Sequence, residues 1–139
     1  PYVSPGSWKS LGVGSHAFLG ILHYVQRSSV SPFTEFTFAV WHRNELIPIS
    51  KTESCLSDDE LKDIEDFVKT NTVERFGPVR VLKPELVFEI HFDGVYESNR
   101  RKSGIVLRNP RIKRWRKDKK PAEADTLVNI KKLLNETKA

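Results

Sequence analysis

The stretch Leu86–Phe92, "LVFEIHF", alternates with period two: Leu86, Phe88, Ile90 and Phe92 fall on one side. That period commits the segment to a β-strand with one face in a core, because a helical stripe would recur every three to four residues. A second run, "TEFTFAVW" (Thr34–Trp41), repeats the pattern. Phe36, Phe38 and Val40 share one face, and Thr37, Ala39 and Trp41 the other. The residues "HRN" turn this strand into a further short one, Glu45–Ser50, which predicts a hairpin. "AFLGILHYV" (Ala17–Val25) and "GIVLR" (Gly104–Arg108) complete the strand-like runs, and Pro84 sits where the strand "PELVFEIHFDG" begins, a place that tolerates a missing amide.

Two segments have helical period instead. "LSDDELKDIEDFVKTN" opens on a capping box, Ser57 with Glu60, and stacks acids at the positive helix start. Leu61, Ile64, Phe67 and Val68 form its apolar stripe, while Asp58, Asp59, Asp63, Glu65 and Asp66 face water or a basic partner. Near the C-terminus, Leu127, Ile130, Leu133 and Leu134 recur at helical spacing, with Asp125 or Thr126 as N-cap. The pattern therefore predicts a mainly β fold: a five-stranded OB-fold barrel with one inter-strand helix and a C-terminal helix. An SH3-like barrel and a split α+β sandwich are the alternatives. Residues 1–14, rich in Gly, Ser and Pro, read as a linker, and 15–139 as the domain.

Charge is distributed unevenly. Between Arg100 and Lys120 stand eleven Lys or Arg and a single acid, Asp118, although the whole chain carries only +5. Positive charge gathered this way suits a phosphate-facing surface. Ile105, Leu107, Ile112 and Trp115 interrupt the run, which a solvated tail does not require. Arg108, Arg111, Arg114 and Arg116 cannot all face one way in regular structure. Pro110 predicts an irregular segment in which several could ring one anion. Asp118 between Lys117 and Lys119 either orients a neighbouring cation or lowers self-repulsion.

Other chemistry is excluded by what is missing. The four histidines and the lone Cys55 show no zinc-ligand spacing, so no metal site is expected. There is neither a P-loop nor a dinucleotide fingerprint. "HFDG" imitates the Lys-x-Asp-Gly nucleophile of covalent nucleotidyl transferases with His91 in place of lysine, and reads as a turn. A single cysteine fits a reducing compartment, and no run is long enough to span a membrane. Methionine is absent, even at position 1, so the chain reads as a piece of a longer protein.

The segment from Asn71 to Leu127 resembles the C-terminal OB domain of bacterial ATP-dependent DNA ligases. The carriers are "KPELVFEI", "RKSGI" and "LRNPRIKRWRKDK", the last similar to the family's motif VI with its core Arg-x-Asp-Lys at Arg116-Lys117-Asp118-Lys119. "YVQR" and "FTEFTFAVW" resemble its first strands. Two departures stand out: Asn109 where the family commonly has Phe, and only a faint echo of motif V in "SWKS", with Lys9 as candidate.

The resemblance implies a three-step reaction. A lysine of an upstream adenylation domain takes AMP from ATP, AMP passes to the 5′-phosphate of a DNA nick, and the 3′-OH displaces it. It implies that Arg116, Asp118 and Lys119 orient the ATP phosphates in the first step, with Arg111 and Arg114 as further nucleotide-binding candidates. Arg100, Arg101 and Lys102 would meet the DNA backbone. ATP and Mg²⁺ would serve the full-length enzyme, with neither expected on this fragment, which is not expected to be active alone. The implied partners are nicked double-stranded DNA and the adenylation domain of the same chain, in a monomer of the bacterial cytoplasm associated with the nucleoid. The rival reading is a free-standing module binding single strands, stacking bases on Trp41, Tyr96 and Trp115. An OB domain of a capping enzyme would share the Arg-x-Asp-Lys but not the "RKSGI" neighbourhood.

Overall fold

In a computed structural model of the protein, residues 16–26, 35–53 and 56–138 are described, apart from the side chains of residues 53 and 134–138. The expected linker 1–14, Lys9, Cys55 and the Leu134 side chain lie outside them.

Strand β1 (His16–Gln26) organises the main sheet. One edge pairs antiparallel with β2 (Glu35–His42), from Ile21↔Ala39 to Gln26↔Glu35. The other edge serves two partners in turn. Its first half pairs with β6 (Val87–Phe92), and its last residues pair with β5 (Val79–Leu82). An irregularity between Leu22 and Tyr24 marks the bend, as expected where a strand must curl. Beyond β2 lies β3 (Glu45–Glu53), and beyond β6 lies β9 (Arg111–Trp115). The path β3-β2-β1-β6-β9 is antiparallel throughout, and its two ends approach each other. This is the curled half-barrel of an OB-fold, mainly β with two helices, as the alternation predicts.

Local chemistry explains the connections. Arg43 and Asn44 both take positive φ, 52° and 65°, the two-residue arrangement whose twist matches a hairpin. Ser57 Oγ accepts from Glu60 N–H at 3.2 Å and the Glu60 carboxylate accepts from Ser57 N–H at 3.2 Å, so the capping box opens α1 (Asp58–Asn71) as expected. Ile64 and Val68 of α1 are buried, and Leu61 and Phe67 pack at the margin of the core. Thr126 caps α2 (Leu127–Lys138), accepting from Asn129 N–H at 3.3 Å. Asp125 is used otherwise: its carboxylate accepts from Leu19 N–H at 2.6 Å, its own N–H donates to Leu19 O, and its carbonyl accepts from Trp41 N–H. With Trp41 Nε1 donating to Pro121 O, the segment from Pro121 to Thr126 straps across β1 and β2.

Phe36, Phe38, Phe88, Ile90 and Phe92 are wholly enclosed within the curl, so the period-two faces are placed as expected. The strand count differs. Among the described residues nine strands stand where five were expected, and the four additions have identifiable causes. Thr72–Phe76 (β4) and Val79–Leu82 pair across Gly77-Pro78, with Gly77 at φ 56° opening the two-residue loop. "HFDG" is not a hairpin turn: Asp93 is a bend from which Gly94–Glu97 (β7) leaves the main sheet. There it pairs with Ile105–Arg108 (β8) in a separate ribbon, under α2. Finally, the basic run is not irregular. Arg111–Trp115 is β9, and it, not "GIVLR", closes the five-strand path. Pro110 falls in the link before the strand, where its missing amide removes no ladder bond.

Candidate functional site

Strand β9 brings the predicted cations onto the sheet. Its register against β6 slips by one residue, so that Ile112 faces Ile90 and Trp115 faces Phe88, with Lys113 as the extra residue. The slip lets Ile112 enter the core and Trp115 stack on Phe88 (5.3 Å between centroids, 21° between planes). It also sets Arg111 opposite His91 and Arg114 opposite Glu89. A regular strand could not have given both faces this use.

Glu89 is the hub. One carboxylate oxygen accepts from Arg114 Nε and from Arg116 Nη1, both at 3.1 Å, and the other lies 2.7 Å from His91 Nε2. Partial burial pushes this carboxyl up, but the bonds to His91, Arg114 and Arg116 together outweigh burial and hold it below the ordinary carboxylate range.

The chain then turns. Arg116 N–H donates to Val87 O, and Lys119 N–H to Arg116 O at 3.2 Å, closing Arg116–Lys119 into a tight turn. Within it Asp118 grips Arg116 on two points: Nε to Oδ1 at 3.0 Å and Nη2 to Oδ2 at 2.9 Å. The guanidinium bond brings the Asp118 carboxyl down to about 2. Of the two readings of this acid, orientation of a cation is the one found. Arg116 has five N–H groups, of which three are engaged. One on each terminal nitrogen has no partner among the described residues, so the guanidinium keeps donors for a further acceptor. The Lys119 side chain has no ion-pair partner among the described residues. Lys117 does: it lies 3.5 Å from Asp63 of α1 and 4.5 Å from the Trp115 ring centre, so part of the helix's acidic face meets a basic surface of the same chain.

A second cluster locks the corner where the chain changes sheets. Asp93 N–H donates to Arg108 O at 2.8 Å, and its carboxylate accepts from Asn109 Nδ2 at 2.9 Å and Arg111 Nη1 at 3.0 Å. Those bonds, Asn109's first, lower the Asp93 carboxyl. Asn109 sits at φ 51°, a left-handed conformation that Asn tolerates better than Phe. The departure from the family's usual residue therefore has a local reason.

The structure thus joins Arg111, Arg114, Arg116 and Asp118 along one edge of the sheet, with Lys119 completing the turn. Arg100, Arg101 and Lys102 are apart from them. All three are exposed in the loop Ser98–Gly104, at the opposite end of the β7–β8 ribbon from Arg108. Four residue pairs separate the two ends, roughly 13 Å along the strands. Sequence reasoning missed Glu89, His91, Asp93 and Asn109. The signal for the first three was available in "FEIHFD", whose polar side is Glu89, His91 and Asp93. Of the aromatics that could stack bases, Trp41 is tied to Pro121 and Trp115 to Phe88, leaving Tyr96 exposed with Arg108 donating to its hydroxyl at 3.4 Å.

Known proteins resemble this chain. A family model described as the ATP dependent DNA ligase C terminal region matches residues 29–119. A probable DNA ligase of Opitutus terrae is 41% identical over 103 residues, covering 72% of this chain and 10% of that protein. One of Koribacter versatilis is 38% identical over 100 residues, covering 72% and 17%. The chain therefore spans less than a fifth of the length of these two relatives. Among solved structures, the ligase domain of M. tuberculosis LigD matches with a TM-score of 0.65 over 80% of this chain and 38% of that one. At 16% identity that likeness carries the fold alone. The match runs through every strand from β2 to β9 and ends on Lys119, the last residue of the turn that holds Arg116, and the chain belongs to the family of C-terminal regions of ATP-dependent DNA ligases.

Proposed function

We propose that this domain closes over an adenylation domain of the same polypeptide and orients the phosphates of ATP while AMP is transferred to the enzyme. The carrying observation is Arg116, held by Asp118 and Glu89 with one N–H on each terminal nitrogen left without a partner among the described residues. A guanidinium held this way reorganises little when a phosphate arrives, which is where electrostatic catalysis gains its effect. Lys119, on the same turn, adds a point charge beside the departing pyrophosphate. Arg111 and Arg114 are tied to Asp93 and Glu89 and hold the shape of the surface. The three carboxylates here are each engaged by arginine, so the residues fit a polyphosphate and not a Mg²⁺ ion. In this reading the metal is held outside this chain.

In the DNA-bound state the exposed loop with Arg100, Arg101 and Lys102 meets the backbone of a nicked duplex, a contact that neutralises phosphates without reading sequence. The enzyme works as a monomer on bacterial nucleoid DNA in the cytoplasm. No helix among the described residues is long and apolar enough to cross a membrane.

The test is Arg116→Ala in the full-length ligase. Self-adenylation with ATP should fall by roughly a hundredfold, the scale of removing one oriented donor. Sealing of a pre-adenylated nick should stay near the parent rate. Equal loss in both assays would refute the assignment.

A further inference from the structure

We propose that Glu89 is the positioning residue for Arg116: it fixes the rotation of the guanidinium so that its free edge points at the phosphates. The inference rests on the reading of Arg116 given above and extends it to a strand outside the Arg-x-Asp-Lys turn.

The geometry separates the two carboxylates by what each can hold. Asp118 lies two residues from Arg116 on the same exposed turn and moves with it, so their two-point grip fixes the pair internally but not against the barrel. Glu89 is different. It lies on β6, paired on both sides, to β1 through Leu19 and to β9 through Arg114. Its side chain is largely covered, at 17% exposure, and so is that of Arg116, at 20%, whereas Asp118 stands at 63%. Among the described residues, only the Glu89 bond, Nη1 to Oε1 at 3.1 Å, ties the guanidinium to the rigid sheet. The carboxylate is itself held from two other directions, by Arg114 Nε at 3.1 Å and by His91 Nε2 at 2.7 Å. It therefore has little freedom to follow Arg116 if the turn shifts.

Charge gives the inference a signature. Glu89 is an anion close to where a polyphosphate would sit, so neutralising it should help ATP bind. Losing the anchor should harm the chemical step. Glu89→Gln keeps the shape and a weaker neutral acceptor. In the full-length ligase it should lower the rate of self-adenylation at saturating ATP about tenfold. KM for ATP should be unchanged or lower, and sealing of pre-adenylated nicks unchanged. Glu89→Gln combined with Arg116→Ala should be no slower than Arg116→Ala alone, since both remove one device.

A parent-like rate at saturating ATP overturns the inference, and so does a fall in sealing as large as the fall in adenylation, or an additive double variant. If Arg116→Ala spares adenylation, the reading of Arg116 fails first and the kinetic part of this inference falls with it. The anchoring is read separately on the 139-residue chain. Rotation about the Cζ–Nη1 bond of Arg116, followed by ¹⁵N line shapes, should quicken at least tenfold in Glu89→Gln. Unchanged rotation overturns the anchor whatever the kinetics give.

Discussion

Asp125 offers the sharpest test of how the strap behind the site is held. Its carboxylate accepts one backbone bond, from Leu19 N–H at 2.6 Å, in a partly buried position between β1 and the C-terminal segment. Burial raises its pKa, and the Leu19 bond only partly opposes this. Two effects thus act on one side chain, and two substitutions separate them. Asp125→Ala removes the acceptor and leaves Leu19 N–H without its partner, at a cost of about 1–3 kcal/mol. Asp125→Asn keeps an oxygen for that N–H and removes the buried charge. It should stay within about 1 kcal/mol of the parent. The pH dependence has a definite sign. A raised folded-state pKa means stability fully present below the unfolded value, near 4, and lost as pH rises through the folded value. The Asn variant lacks this loss, so it should gain on the parent between pH 4 and 7. Urea unfolding by tryptophan fluorescence across that range measures both. If Asn costs as much as Ala at pH 7, the charge itself is needed and the reasoning is wrong.

Other outcomes follow from the same geometry. The Asp118 carboxyl, followed by ¹³C NMR, should titrate near 2, so the grip on Arg116 persists until pH falls through that value; a midpoint near 4 would mean the pair is not formed in solution. Asn109→Ala should destabilise the domain by about 1–2 kcal/mol from its left-handed backbone alone, and Asn109→Gly by less; calorimetry that ranks them the other way would remove the backbone argument. Replacing Arg100, Arg101 and Lys102 together by Ala should lower the salt dependence of nicked-duplex binding by about 2–3 in slope, at roughly 0.9 per phosphate contact; an unchanged slope would move the DNA contact elsewhere.

What the chain alone determined is the periodic part. Phe36, Phe38, Val40, Phe88, Ile90 and Phe92 went to the core because a strand sends alternate side chains to one face, and no other structure satisfies that spacing. The capping box at Ser57 was equally legible, since its three-residue spacing is itself the geometry. The Arg-x-Asp-Lys segment was visible as a motif, but the sequence left two readings of Asp118 open, and its two-point grip on Arg116 was decided by the turn. The pairing of distant segments was not legible. Nothing local in "RIKRW" shows that it will lie beside β6, because its alternation is broken by the extra residue Lys113, and only the partner strand makes that slip favourable. The same holds for Glu89 and Asp93, whose arginines lie 18 to 27 positions away. Periodicity is a property of the backbone and travels with the residues. The partner of a buried carboxylate depends on which strands the curl brings together, and that was decided only when the sheet closed.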